Sequence, residues 1–254
     1  MSAKDDRHQA LLAALQRQQT SSVAELARAL DVTEMTVRRD LEALEQDGLV
    51  ERFHGGARLT PSASFEPPFV LRERMNASQK RAVAAAAAGL VHDGETVVLD
   101  GGSTGLALAA ELSTRRVTVC PLSLRVAWAF ERSTSVTLLL PPGVARRGEL
   151  SLTGSETIDY LGRHHFDRYL LTASGFTIAE GFTEWNAEDA AVKRAALASA
   201  ATCVAAVDAG KFGRLAFADV CAVAKPDCVV TSADLPGDAL AALEQASRSV
   251  LIAS

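Results

Sequence analysis

The stretch Thr96-Val97-Val98-Leu99-Asp100-Gly101-Gly102-Ser103-Thr104 runs four β-branched or apolar residues into an acid, two glycines and two hydroxyls. A short run of that kind, closed by glycine, reads as a strand buried on both faces. The apolar residues of Leu106–Leu112 then keep helical spacing. A strand that turns directly into a helix is the repeating unit of a parallel sheet. At such a turn small residues let successive backbone N–H groups converge, the helix start adds positive potential, and Ser103 and Thr104 add hydroxyl donors. That combination suits a phosphate. The same glycines also serve a tight strand-to-helix connection with no ligand, and the turn alone leaves both uses open. Its spacing is neither G-x-x-x-x-G-K-[ST] nor G-x-G-x-x-G.

Outward from this stretch the alternation continues. Helices are expected over Ser78–Val91, Leu124–Glu131 and Glu188–Ala201. Strands are expected over Val117–Cys120, Val136–Leu140, Tyr169–Ala173, Thr202–Val207 and Cys228–Thr231, with Val250–Ala253 a candidate last one. The pattern predicts an α/β domain over residues 73–254, a mainly parallel sheet with helices on both faces. In the other direction, Thr60–Phe69 is rich in Pro and Ser and has no apolar period, which marks residues 60–72 as a linker.

Residues 1–59 read as three short helices and a hairpin. Leu11, Leu12 and Leu15, then Leu26 and Leu30, then Val37, Leu41 and Leu44 form three apolar stripes that can close a small core. Ser22-Val-Ala-Glu25 is a capping box for the second helix, and Thr33 is a candidate N-cap for the third. Leu49–Phe53, the turn His54-Gly-Gly56 and Ala57–Leu59 form a candidate wing. With Val37, Leu41 and Leu44 turned inward, Thr36, Arg38, Arg39 and Asp40 are expected outside, while Arg52, His54 and Arg58 add a positive strip on the wing. In a helix-turn-helix the second helix of the motif presents such residues to base edges and phosphates.

Gross composition narrows the function. A chain of 254 residues, 48% hydrophobic and 22% charged, fits an ordered globular protein of two domains. Its net charge of -5 argues against broad polyanion binding, and residues 1–60 carry eight Lys and Arg against ten Asp and Glu. Contact with DNA must therefore come from a local cluster. The longest apolar run, Ala82–Val91, is too short to span a bilayer, and the N-terminus lacks a signal-peptide pattern. A cytoplasmic protein with no membrane partner is expected. Four cysteines without a C-x-x-C pair and five histidines without H-x-x-x-H spacing imply no metal site, and no cofactor is expected. The adjacent His164 and His165 point different ways in either helix or strand and read as structural or surface residues.

The combination Thr33-x-x-Thr36-Val-Arg38-Arg39-Asp40-Leu41-x-x-Leu44, Asp47-Gly-Leu-Val50 and Arg52-x-His54-Gly-Gly-Ala57 resembles the DeoR family of bacterial regulators across the whole front domain. The resemblance continues through Arg72-Glu-Arg74-x-Asn76-x-x-x-Lys80, the Asp100–Thr104 turn, Gly154, Gly175, Gly181, Lys193 and Asp208-x-Gly-Lys211-Phe-Gly213. It implies a winged helix-turn-helix joined to a Rossmann-like α/β domain similar in fold to ribose-5-phosphate isomerase. It further implies Thr36, Arg38 and Arg39 as operator contacts and a phosphorylated sugar or polyol as effector. Gly101, Gly102, Ser103 and Thr104 would then take the phosphate, Lys211 would support it, and Asp100 would accept from a hydroxyl. Lys193 joins this set, against the plainer reading of a solvated helix position; for Lys211 the plainer reading is a surface turn. A homo-oligomeric repressor of carbohydrate or polyol genes, dimer or tetramer, is the implied whole.

Two departures from the family pattern stand at strand ends. Cys120-Pro-Leu122 replaces a usual Thr-Asn, and Pro141-Pro-Gly143 replaces a usual Gly-Gly. An aldose-ketose isomerase needs a positioned base, and where the related isomerases carry an acidic turn this chain has Thr172-Ala-Ser-Gly175. Glu184 and Glu188 flank Trp185 nearby, with Glu188 read as a helix-start residue. A non-enzymatic switch is therefore expected; the alternative is an isomerase-like enzyme with an accessory DNA module.

Overall fold

The computed structural model describes residues 3–18, 20–46, 49–59 and 66–253, in two compact units, Met1–Met75 and Asn76–Ser254. Asp47, Gly48 and linker residues 60–65 lie outside the described residues.

The first unit contains α1 (Ala3–Gln18), β1 (Thr20–Ser22), α2 (Val23–Leu30), α3 (Glu34–Gln46), β2 (Val50–Phe53), β3 (Gly56–Leu59) and α4 (Phe69–Arg74). The three expected apolar stripes meet in one core: Leu11, Leu12, Leu15, Leu26, Val37, Leu41 and Leu44 are all buried, and Leu30 packs against them. Ser22 and Glu25 make both bonds of the capping box. Asp31, in the left-handed conformation, ends α2. Thr33 Oγ1 then accepts the Thr36 N–H at 3.2 Å to start α3. The wing is a β2–β3 hairpin, and β1 adds a third strand through Thr20↔Arg58 to Ser22↔Gly56. Three polar residues give no strand signal on their own, so β1 is visible only through its partner. Residues 69–72, within the expected linker, belong to α4, whose Leu71 packs on this core.

The second unit runs α5 (Ala77–Ala88), β4 (Thr96–Leu99), α6 (Gly102–Leu112), β5 (Thr118–Pro121), α7 (Leu124–Trp128), β6 (Thr137–Leu138), β7 (Val144–Ala145) and β8 (Leu152–Thr153). It continues with α8 (Ser155–Gly162), β9 (Phe166–Leu171), β10 (Gly175–Thr177), β11 (Gly181–Glu184), α9 (Ala187–Ser199) and β12 (Ala200–Ala206). Then follow β13 (Ala218–Cys221), β14 (Cys228–Ser232), α10 (Gly237–Ala246) and β15 (Val250–Ala253). Seven strands form one sheet in the order β15-β14-β12-β9-β4-β5-β6, every pairing parallel.

Alternate residues of each strand feed two cores, which accounts for the continuous apolar runs. Val97, Leu99, Val119, Leu170, Val204 and Val230 pack with α5 and α6 on one face. Val98, Cys120, Tyr169, Leu171, Cys203 and Val229 pack with α8, α9 and α10 on the other. β4 leads to β5 and β6 on one side, while β9, its other neighbour, leads to β12, β14 and β15. The order of strands thus reverses at β4 and β9, and open α/β sheets bind ligands beyond the strand ends at such a point.

Candidate functional sites

In the first unit, α3 presents Arg38 and Arg39 to solvent and leaves Thr36 partly covered. Thr36 Oγ1 lies 2.9 Å from Thr33 Oγ1. Arg38 donates to Glu34 Oε2 at 3.0 Å, one helical turn away. Arg39 has no such partner among the described residues. On the wing, Arg52 Nε donates to Glu45 Oε2 at 2.7 Å and Arg58 pairs with Glu51 at 2.8 Å, while His54 is exposed at the turn. The arginine bonds hold the Glu45 carboxyl below its ordinary range. Exposed pairs of this kind are screened by water and weak, so a phosphate could displace the carboxylate at little cost. The expected basic residues therefore share one small unit, with three of their charges masked locally by glutamates.

Asp40 requires a correction. Rather than lying outside beside Arg39, it is buried at 3% exposure between α1 and α3. Arg7 binds it through Nε and, at 3.0 Å, through Nη2; His8 Nε2 lies 3.0 Å away. Burial alone would raise the carboxyl, but the bonds from Arg7 and His8 outweigh it and hold Asp40 below its ordinary range. It ties α1 to α3.

In the second unit the turn after β4 lies beside the switch point. Gly102 has φ +75°, a conformation that a residue with a side chain rarely adopts, and it begins α6 four residues earlier than the apolar spacing predicts. Ser103 and Thr104 are mostly buried in the first turn of α6, and neither hydroxyl is bonded to another described residue. A Cβ on Gly101 would lie 3.4 Å from Ser123 Cβ.

Beneath this turn Asp100 and Lys193 belong to one buried charge cluster. Asp100 accepts from Gly101 N–H (2.8 Å), Thr172 N–H (2.9 Å) and Thr172 Oγ1 (3.1 Å), and pairs with Lys193 Nζ at 2.9 Å. Lys193 is buried rather than a solvated helix position: an ammonium has three donors, and here they go to Asp100, Glu184 and the Thr172 carbonyl. Burial alone would lower the ammonium, but the two carboxylates hold it well above the ordinary lysine range. The same pairing overcomes the burial of Glu184, whose carboxyl lies below its ordinary value. Ser174 Oγ and the Trp185 N–H complete the shell of Glu184. Asp100 and Lys193 therefore brace the ends of β4 and β9. Glu188 is exposed in the first turn of α9, as a helix-start residue should be.

Lys211, just beyond β12, places Nζ 5.1 Å from the centre of the Trp185 ring. Asp208, just beyond the end of β12, has no role that the family pattern assigns. It is 1% exposed, Oδ1 accepts from Asn76 Nδ2 and Gly210 N–H, and Oδ2 has no hydrogen-bond partner among the described residues. A carboxylate at a parallel strand's C-terminal end was the available signal. At the two departures, Cys120, Pro121 and Leu122 are all buried. The Cys120 thiol is pushed up to about 12 by burial. The end of β5 thus offers no polar side chain before Ser123, which caps α7. The Pro142 carbonyl accepts from Thr157 Oγ1 at 2.7 Å. No helix among the described residues is long and apolar enough to cross a membrane.

Comparison with known proteins bears on both units. Residues 7–63 match the DeoR-like helix-turn-helix domain and residues 75–233 the DeoR C-terminal sensor domain. The HTH-type transcriptional regulator GolR of Listeria innocua is 32% identical over 227 residues, 89% of either chain. The glycerol-3-phosphate regulon repressor of Escherichia coli K12 is 29% identical over 231 residues, 91% of either chain. Among solved structures, ribose 5-phosphate isomerase A of Methanocaldococcus jannaschii aligns with 54% of this chain and 55% of its own. That alignment has 19% identity and a TM-score of 0.41, too slight a likeness to build on. With family matches that together span most of its length and relatives that align almost end to end, this chain belongs to the DeoR family of transcriptional regulators.

Proposed function

We propose that the protein is a repressor that holds operator DNA through α3 and the wing and lets go when a phosphorylated sugar or polyol binds over the strand ends of the second unit. The observation that carries this reading is the placement of the Gly101–Thr104 turn at the reversal of strand order, with two unengaged hydroxyls at a helix start. The hydroxyls of Ser103 and Thr104 and the N–H groups of Gly102, Ser103 and Thr104 would hold the phosphate, with Gly101, whose own N–H is bonded to Asp100, shaping the turn. Lys211 would add positive charge, and Asp208 Oδ2 would accept a hydroxyl. Thr36, Arg38 and Arg39 would meet base edges and phosphates, with Arg52, His54 and Arg58 on the flanking backbone. A cytoplasmic homo-oligomer that pairs two reading heads across a repeated site, and works without catalysis, fits this role. The names of the relatives support it, since they are regulators, one of them of a glycerol-3-phosphate regulon.

The double variant S103A/T104A tests the site. It should bind operator as the unaltered protein does but need about tenfold or more higher concentrations of a releasing sugar phosphate, in line with the loss of charge-assisted bonds. An unchanged release curve in a fluorescence-anisotropy titration would place the phosphate elsewhere.

A further inference from the structure

Asn76 is the first residue of the second unit and stands at the N-cap of α5. Asparagine in that position ordinarily turns its side-chain oxygen onto the free N–H groups of its own helix. Asn76 makes no capping bond: its backbone is left-handed, with φ 52° and ψ 34°, and its side chain leaves the helix start. Nδ2 donates instead to Asp208 Oδ1 at 2.8 Å, across 132 residues of sequence. The fit is tight, since a Cβ on Gly210 would lie 2.3 Å from Asn76 Nδ2 and 2.9 Å from Asp208 Oδ1. A second link joins the same turn of α5 to the same loop. Ser232 Oγ donates to Gln79 Oε1 at 3.2 Å and accepts the Ala209 N–H at 2.9 Å. The other oxygen of Asp208, buried and without a partner among the described residues, is a place where a donor belongs.

We propose that Asn76 is the positioning residue through which occupancy of the effector site reaches the DNA-reading unit; this rests on the reading that the effector lies over the strand ends. The two oxygens of a carboxylate share one rigid plane. A ligand hydroxyl that draws Oδ2 toward itself turns Oδ1 as well, and Asn76 must follow or release. In either case the change arrives where the sensor unit begins, one peptide bond from Met75, the C-cap of α4. Covalent continuity then carries it to the first unit.

The test uses the full chain, DNA from its own promoter, and two probes, D-fructose 6-phosphate and sn-glycerol 3-phosphate. N76G keeps the left-handed backbone and removes the amide. It should bind operator and probes within about threefold of wild type while the probe-driven loss of operator affinity shrinks about tenfold, the usual span of a coupling. N76D sets two carboxylates against each other and should weaken operator binding about tenfold with no ligand present. The double variant N76D/D208N exchanges the two side chains, restores a donor–acceptor pair and should recover that affinity. Thermal melts confirm that each variant is folded. A full probe response in N76G, or wild-type operator affinity in a folded N76D, overturns the coupling role. If neither probe releases the wild-type protein, yet N76D weakens operator binding and the exchange restores it, the coupling stands and the phosphorylated-effector reading falls. If N76D has no effect and the probes have none, both fail.

Discussion

Lys193 and Arg39 are both basic helix residues, and their surroundings give them opposite work. Lys193 is 7% exposed and neutralises two buried carboxylates. Lys193→Met would leave Asp100 and Glu184 buried without a counter-charge and should cost about 3–5 kcal/mol of stability. Urea unfolding measures the loss, and adding Glu184→Gln should recover part of it. Wild-type stability in K193M would mean that the cluster does not brace the strand ends. Arg39 is exposed and unmasked on α3, so Arg39→Ala should leave stability unchanged. It should lower the preference for operator over random duplex about tenfold, the worth of one good base contact. Equal losses on both duplexes in anisotropy titrations would make it a phosphate contact instead.

At the scale of elements, α1 is joined to α3 through Asp40, and this contact sets an acid limit on the first unit. The folded pKa of Asp40 lies below the unfolded value of about 3.9. Its contribution is therefore fully present above that value and is lost as pH falls through the folded one. Amide exchange in α1 and α3 should rise below about pH 4 in the wild-type chain. Asp40→Asn should raise it already at neutral pH, by about 2 kcal/mol of lost charge-assisted bonding, and flatten the acid response. An acid response in D40N as steep as in wild type would remove Asp40 as its source. Elements whose signal is local were legible in the sequence: the Ser22 capping box, the Thr33 cap, and the apolar strands β4, β12 and β14. Elements defined by their partners were not. β1 exists by pairing with β3, and β10, β11 and β13 are short strands that hold one another. The expected five-residue strand at Val136–Leu140 shrinks to Thr137–Leu138 at the sheet edge, where only β5 supplies bonds. Charged side chains divide in the same way. Exposure of Arg38 and Arg39 follows from helical period, whereas the burial of Asp40, Asp100 and Lys193 depends on partners that include Arg7, 33 residues from Asp40, and the Asp100–Lys193 pair, 93 residues apart, which spacing alone does not reveal.

For the whole molecule, the proposed role asks a chain of net charge -5 to bind a polyanion through a few arginines, three of which pair with glutamates. General attraction to DNA should accordingly be weak, and discrimination would come from base contacts and, in the proposed homo-oligomer, from two heads held in register. The most direct measurement is fluorescence anisotropy of a labelled duplex from the protein's own promoter, against a random duplex of equal length at about physiological ionic strength. Both titrations are then repeated with a range of sugar and polyol phosphates and their unphosphorylated parents. The expected result is tight binding to the promoter alone, reversed by at least one phosphorylated compound and not by its unphosphorylated parent. Equal binding to both duplexes, or promoter binding that no phosphorylated compound alters, would contradict it.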